Sequence, residues 1–465
     1  MSKKLQRIPV PHQPSTTRID NFLEVALGYS YEEATIEASR CIDCKNPRCV
    51  QACPVGVKIP TFIKHLLEGA LDEAFETIYE DNILPSICGR VCPQESQCEG
   101  ACIMGIKHEP VNIGALERFV GDYGREHVLT HDAPSPSPTR PQSIAVVGSG
   151  PAGLANAAAL RKCGYNVTIF EALHEFGGVL TYGIPEFRLP KSIVKDEIDN
   201  LKSMGVTFVK NAIIGKSITL EQLKEDGYDA IFIGSGAGLP SSLGIPGENY
   251  NGVYFANEFL TRVNLMRSQD FPNSATPIKI GSTVAVVGGG NVAMDAARTA
   301  KRIGAEKVMI IYRRDMDNIP ARKEEVDHAI EEDIVMNVLH NPVEIIGEAY
   351  EIKRVKCEKM TLGEPDASGR RRPIGTGEYE TFNVDNLIIA IGQKPNPIIK
   401  SATPDLSTHS WGGIITGETH MTSIEGVFAG GDAVSGAATV ILAMGAGKDA
   451  AASMDAYLRT RDSSL

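Results

Sequence analysis

Ser143-Ile-Ala-Val-Val-Gly-Ser-Gly-Pro-Ala-Gly153 passes from an apolar strand, through a glycine turn, into an alanine-rich helical pattern. Gly148 permits the tight turn, Gly150 lets the backbone approach a pyrophosphate, and Gly153 allows close packing of helix on strand. Pro151 and Ala152 open the helix, whose N-terminus attracts phosphate charge. A second strand, Asn166-Val-Thr-Ile-Phe170, ends at Glu171-Ala172, about 20 residues on, where an acid binds ribose hydroxyls. The stretch predicts a dinucleotide-binding βαβ unit. Ser282-Thr-Val-Ala-Val-Val-Gly-Gly-Gly-Asn-Val-Ala293 repeats the pattern, so two dinucleotide folds are expected in one α/β chain with parallel sheets.

The second unit differs where it matters. Its following strand, Lys307-Val-Met-Ile-Ile-Tyr312, ends in Arg313-Arg314 and not in an acid. Losing the acid removes repulsion toward a 2′-phosphate, and guanidiniums supply bidentate contacts to it. With Gly290, Asn291 and Val292 at the turn, the unit is predicted to bind NADP(H), Arg322 being a third phosphate contact. Near the C-terminus, Val427-Phe-Ala-Gly-Gly-Asp432 is an apolar strand closing in Gly431-Asp432, followed by an expected helix over 438–452.

Outward from these motifs, the chain has 465 residues and a net charge of −12. That length suits two to four domains. The acidity argues against a nucleic-acid binder, which would show a basic patch. No apolar run reaches the roughly 18 residues of a membrane span, and no apolar core follows the charged N-terminus as in a secretory signal. A cytoplasmic location is expected. Asp132-Ala-Pro-Ser-Pro-Ser-Pro-Thr-Arg-Pro-Gln142 is a proline-rich linker, and before it amphipathic spacing over Thr61–Glu80 predicts helix.

Eight of the ten cysteines fall in two blocks, Cys41-x2-Cys44-x4-Cys49-x3-Cys53-Pro54 and Cys88-x3-Cys92-x5-Cys98-x3-Cys102. In a reducing compartment such clusters suggest metal or redox chemistry. Four-cysteine zinc sites also pair cysteines. The closing Cys-Pro has ferredoxin-like spacing, in which the last cysteine of a run serves the other cluster, and favours two [4Fe–4S] clusters.

Together with Gly89-Arg-Val-Cys-Pro-Gln-Glu-Ser-Gln-Cys-Glu-Gly-Ala-Cys102 and Gly183-Ile-Pro-Glu-Phe-Arg-Leu-Pro190, these motifs, in this order, resemble the family of glutamate synthase small subunits. Val-Pro-His-Gln-Pro14 and Asn21-Phe-Leu-Glu-Val-Ala-Leu-Gly-Tyr-Ser30 resemble most the large (alpha) subunit of NADH-dependent ferredoxin:NADP oxidoreductase within it. The resemblance implies a helical twin-cluster domain over 1–131, a linker over 132–142, and an FAD domain over 143–258 and 385–465 interrupted by an NADP(H) domain over 259–384. It implies that Cys41, Cys44, Cys49 and Cys102 hold one cluster. Cys53, Cys92 and Cys98 would hold the other with Glu117, Cys88 being the alternative fourth ligand. It places Asp432 on the ribityl or pyrophosphate part of FAD. Gly178, Leu180, Arg188, Gly236 and Thr439 would lie along the flavin, and Ala390, Ile391 and Gly392 beside NADP(H) or flavin. No side chain is expected to act as acid, base or nucleophile, because the chemistry is the cofactor's. The implied function is exchange of hydride between NADP(H) and FAD. Single electrons would then pass to ferredoxin, by flavin-based bifurcation in a heterodimer with a small flavin/[2Fe–2S] subunit. The alternative is the small subunit of glutamate synthase, serving a large FMN subunit.

Overall fold

The computed structural model describes residues 6–129, 139–365 and 370–462; most of the expected linker lies outside them. The first part is helical. Helix α1 (Tyr31–Ala38) starts at a capping box in which Ser30 and Glu33 satisfy each other's backbone amides, as that residue pair should. Helices α2 (Ile59–Leu67) and α3 (Leu71–Tyr79) divide the stretch over 61–80 in two. Gly69, at φ +75°, takes the left-handed turn that ends the first helix. Phe62, Ile63, Leu66, Phe75 and Ile78 bury together as the core.

Helices α4 (Pro85–Val91) and α5 (Ile113–His127) cross at backbone contact. A Cβ on Gly89 would stand 2.5 Å from the Arg118 amide nitrogen, and one on Gly121 2.6 Å from that of Ser86. Small residues are required at such a crossing, and this one brings Cys88 and Cys92 to the level of Glu117.

The rest holds two parallel five-stranded sheets. The first contains β1 (Ser143–Val147), β2 (Asn166–Phe170), β3 (Thr207–Val209) and β4 (Ala230–Ile233), and is completed by the C-terminal strand Val427–Ala429 beside β4. The second contains β5 (Val253–Phe255), β6 (Thr283–Val287), β7 (Lys307–Tyr312), β8 (Val335–Val338) and the strand Asn386–Ile389, which pairs with both β5 and β6. The apolar strands, buried on both faces, explain why their sequences read as continuous runs. A three-stranded antiparallel sheet over His340–Glu348, Glu351–Pro365 and Arg371–Asn383 grows from the second domain.

This topology moves two expected boundaries. Residues 253–255 and 386–389 belong to the second sheet, so neither 258/259 nor 384/385 divides the domains. The chain crosses between them at 239–240 and 393–394, which pair as a short antiparallel ribbon. Helix α6 (Pro151–Lys162) follows the first glycine turn, and the last helix, Val440–Asp462, is the longest among the described residues and runs beyond the expected end at 452. Among the described residues no helix is long and apolar enough to cross a membrane.

Candidate functional site

The first glycine turn sits at the carboxyl edge of the first sheet, where open α/β sheets bind ligands. Gly148 has φ +98°, and a Cβ there would lie 2.6 Å from the Gly234 carbonyl. The turns after β1 and β4 therefore touch through backbone. A cleft of about 350 Å³ opens beside them. Gly148, Gly150, Pro151, Ala152, Glu171, Ala172, Gly178, Gly236 and Asp432 all line it. Cβ atoms on Gly150 or Gly236 would meet no protein atom within 4 Å, so these glycines form a bare cradle that fits a pyrophosphate and flavin.

The acids are held in place. Glu171 accepts the Ser149 amide at 3.0 Å and the Leu173 amide at 2.9 Å. Asp432 accepts the Ala438 amide at 3.2 Å, and burial pushes its carboxyl up to about 6. Gly431 packs against Ala152, where a Cβ would stand at 2.8 Å. Thr439 accepts the Leu442 amide at 3.4 Å where the last helix begins, and Ala443 of that helix lines the cleft.

Two expected flavin residues lie elsewhere. Leu180 is fully buried in the hydrophobic core and is not part of the cleft wall. Arg188 is tied to Asp295 at 2.8 Å and Glu325 at 2.9 Å in the second domain; a buried guanidinium so paired braces one domain on the other. Residues that local motifs did not reveal also shape the cleft. Tyr182, whose phenol burial pushes up to about 12, Asn257, Gln393 and Asn396 line it. Lys191 donates to the Leu180 and Leu189 carbonyls at 2.9 and 3.0 Å, organising the intervening turn. No pattern in the sequence marks these positions, because the walls come from distant segments. Among the described residues no cysteine lines the cleft.

At the second turn, Gly290 caps the helix Asn291–Arg302, and a Cβ on it would meet nothing. Val292 is 39% exposed beside it. Across the turn, the Ala390 carbonyl would stand 2.4 Å from a Cβ on Gly288, while Ile391 is exposed and Gly392 takes φ +119°. Arg313 is exposed at the end of β7. Arg314 donates through Nε to the Arg371 carbonyl at 3.0 Å. Arg322 departs from expectation. Its amide binds the Asn291 side chain at 2.9 Å, but its guanidinium donates to the Arg90 carbonyl at 2.6 Å and to Glu324 at 2.9 Å. It joins the helical domain to the second sheet and is already engaged.

The thiols form two sets. Cys41, Cys44, Cys49 and Cys102 line one small apolar recess with Ile59, Ile63 and Ile113. In the second set Cys53, Cys88, Cys92 and Cys98 all lie near enough to Glu117 for its charge to act on their thiols. Cys88 lies on the preceding helical turn and hydrogen-bonds Cys92. Burial pushes Glu117 up to about 7, opposed by Asn82, which donates to its Oε1 at 2.6 Å. Cys49 is pushed up to about 11 by burial, so these thiols bind a metal only by giving up protons. The all-thiolate apolar recess has the donor set of an iron–sulfur cluster.

The sets differ in position. A Cβ on Gly445 of the last helix would stand 3.4 Å from Val55 and 3.6 Å from the Pro54 carbonyl. Cys88 and Cys92 share one hydrophobic core with Ala152, Ala443 and Met444. The second set thus abuts the cleft wall, with Cys53 beside Pro54; the recess of the first set has no lining residue in common with the cleft.

Comparison with known proteins agrees with this geometry. Residues 18–129 match the family described as dihydropyrimidine dehydrogenase domain II, 4Fe-4S cluster. Residues 142–447 match the pyridine nucleotide-disulphide oxidoreductase family. The chain is 36% identical to the glutamate synthase [NADPH] small chain of Escherichia coli over 456 residues, covering 96% of both. It is 39% identical to the NADP(+)-dependent formate dehydrogenase subunit beta of Moorella thermoacetica, covering 88% of this chain and 60% of that longer protein. Mycobacterium tuberculosis FprA in complex with NADPH shares the fold, with TM-score 0.58 and 22% identity over 70% of this chain and 86% of that one. The chain belongs to the pyridine nucleotide-disulphide oxidoreductase family, in the group that adds an N-terminal 4Fe-4S domain, and is an NADP-dependent flavin and iron–sulfur oxidoreductase.

Proposed function

We propose that this chain is the NADP(H)-oxidising or NADP+-reducing subunit of an electron-transfer complex, holding FAD in the first cleft and one [4Fe–4S] cluster in each thiol set. Bound together, these groups supply hydride exchange with NADP(H) on one side and single-electron transfer on the other. The chain's residues supply position. Gly148 and Gly150 admit the pyrophosphate, Gly153 lets helix and strand pack closely behind it, Glu171 takes the ribose, and Asp432 with the start of the last helix faces the rest of the flavin. The N-terminus of that helix favours negative charge there. Gly290–Val292 cradle the second nucleotide, and Arg313 reads its 2′-phosphate, with Arg314 beside it. Cys53, Cys92, Cys98 and Glu117 form the inner set, and Cys41, Cys44, Cys49 and Cys102 the outer.

One observation carries this reading: the loop Cys53-Pro54-Val55 packs against Gly445 of the helix that walls the cleft. With no cysteine on the cleft wall among the described residues, that contact supports the inner thiol set as the way out for electrons. The reading extends to ferredoxin as acceptor, with bifurcation through a small flavin/[2Fe–2S] partner. A second reading is favoured by the end-to-end similarity to the glutamate synthase small chain: a large FMN subunit as acceptor.

Anaerobic native purification, with mass spectrometry of co-purifying chains, tests it. A small flavin and [2Fe–2S] partner supports the first reading, and a large amidotransferase-containing chain the second. Flavin-free protein, or zinc without acid-labile sulfide, refutes both.

A further inference from the structure

The segment ahead of α1 crosses all three domains. Arg7 reaches Glu99 at 2.7 Å, Val25 donates to the Phe187 carbonyl at 2.9 Å, and Arg18 enters the second domain to bind Glu332 at 2.7 Å. Where this arm meets the helix Lys323–Glu331, His12, His328 and Glu331 each bring a ligand atom to within 4.8 Å of the other two. We propose that these residues form a binding site for a divalent transition-metal ion, of which Zn²⁺ is the best match, fastening the arm to the NADP(H) domain.

Four features carry the assignment. First, His328 and Glu331 are one turn apart on the same helix, so both project from one face. Second, the His12 Nδ1 lies 3.2 Å from the Val10 carbonyl. A proton held there leaves the Nε2 lone pair free, the arrangement in which backbone carbonyls orient metal-binding imidazoles. Third, Glu331 gives only its Oε2 to Arg18, at 2.8 Å, keeping Oε1 for an ion; coordinating carboxylates are commonly braced in this way. Fourth, His328 is 5% exposed and its Nδ1 is buried with no hydrogen-bond partner. Leaving such a nitrogen unsatisfied is costly, and the ring stands beside His12 with centroids 5.4 Å apart.

Two imidazoles and a carboxylate make a donor set that zinc takes in tetrahedral geometry with a fourth position open. All three residues line a cavity of about 450 Å³, which leaves room for a further ligand. Nitrogen donors select against Mg²⁺ and Ca²⁺, which prefer oxygen. The nearby cations each have a carboxylate partner. Arg18 meets Glu331 and Glu332, Arg298 meets Glu325 and Glu332, Arg302 meets Glu332, Arg188 meets Glu325, and Arg322 meets Glu324. Asp327 lines the same cavity. The site is remote in kind from the thiol sets, sharing no residue with either.

The test uses the flavin- and iron-loaded protein, dialysed anaerobically against zinc chloride and then against metal-free buffer. Zinc, iron and FAD are measured on the same sample. The expected result is one zinc per chain beyond any in the parent's thiol sites, lost in His12→Ala and in His328→Gln at unchanged iron and FAD. Binding should weaken about tenfold or more in each variant. Zinc should also raise Tm in the parent and leave it unmoved in His12→Ala, since a ligand stabilises only the state it binds. Equal zinc in parent and variants, or none in the parent, overturns the assignment. Should His328→Gln lose flavin or iron through misfolding, His12→Ala decides, because His12 is exposed on the arm.

Discussion

Gly150 and Gly153, three residues apart in one motif, should fail for opposite reasons when each is changed to alanine. Gly150 has φ −72° and ψ −179°, extended backbone that alanine adopts freely, and its added methyl would touch no protein atom within 4 Å. In the cofactor-free protein Gly150→Ala should therefore be neutral or stabilising by about 0.4–1 kcal/mol, because alanine restricts the unfolded chain. The methyl points into the cradle, however, where it displaces the pyrophosphate. Forced overpacking of that order costs about 1–3 kcal/mol, which is about 5- to 150-fold in affinity for FAD. Gly153→Ala differs: its methyl would lie 1.9 Å from the Gly148 carbonyl oxygen and 3.2 Å from Val146. Helix and strand must separate, so stability itself falls. The assay is Tm of the deflavinated proteins beside FAD titration by fluorescence quenching. Gly150→Ala should keep its apo Tm and lose FAD affinity, and Gly153→Ala should lose apo Tm. Parental FAD affinity in a folded Gly150→Ala would refute the cradle.

Other predictions concern the remaining sites. Arg313→Ala should raise KM for NADPH about tenfold or more while sparing NADH, since charged hydrogen bonds contribute about 1.5–3 kcal/mol; Arg322→Ala should lower Tm instead and leave the NADPH/NADH ratio alone. Glu117→Ala should perturb one cluster's EPR signal, and Cys88→Ala should leave iron content intact; the reverse pattern would make Cys88 the ligand. Glu197 is buried, and burial raises its carboxyl to about 8 from the ordinary 4.5. Because the folded value is the higher, its contribution to stability is fully present below the unfolded pKa and is lost as pH rises through the folded one. Glu197→Gln should therefore gain Tm over the parent progressively between about pH 5 and pH 8, and a pH-independent difference would contradict this.

The reach of local sequence explains which readings held. Strand, glycine turn and helix occupy about a dozen contiguous residues, and their backbone requirements are written in Gly148, Gly150 and Gly153 themselves. The same holds for Cys41, Cys44 and Cys49, drawn into one recess by a short loop and joined there by Cys102. The partner of Arg322, the Arg90 carbonyl, is 232 residues away, and Arg188 meets Asp295 across 107 residues; neither contact is visible in local sequence. A guanidinium in a sequence shows a charge, not which anion answers it.

What the sequence by itself determined was therefore the set of parts: two dinucleotide turns, an acid after one and arginines after the other, and two blocks of thiols. Their spacing satisfies constraints that act over a few bonds. Only the tertiary structure decided how the parts face one another. It assigned 253–255 and 386–389 to the second sheet, set Cys53-Pro54-Val55 against the cleft-walling helix, and carried His12 across more than half the chain to His328. Those outcomes depend on packing between surfaces remote in sequence, where burial and charge pairing across domains, not local backbone preference, select the arrangement.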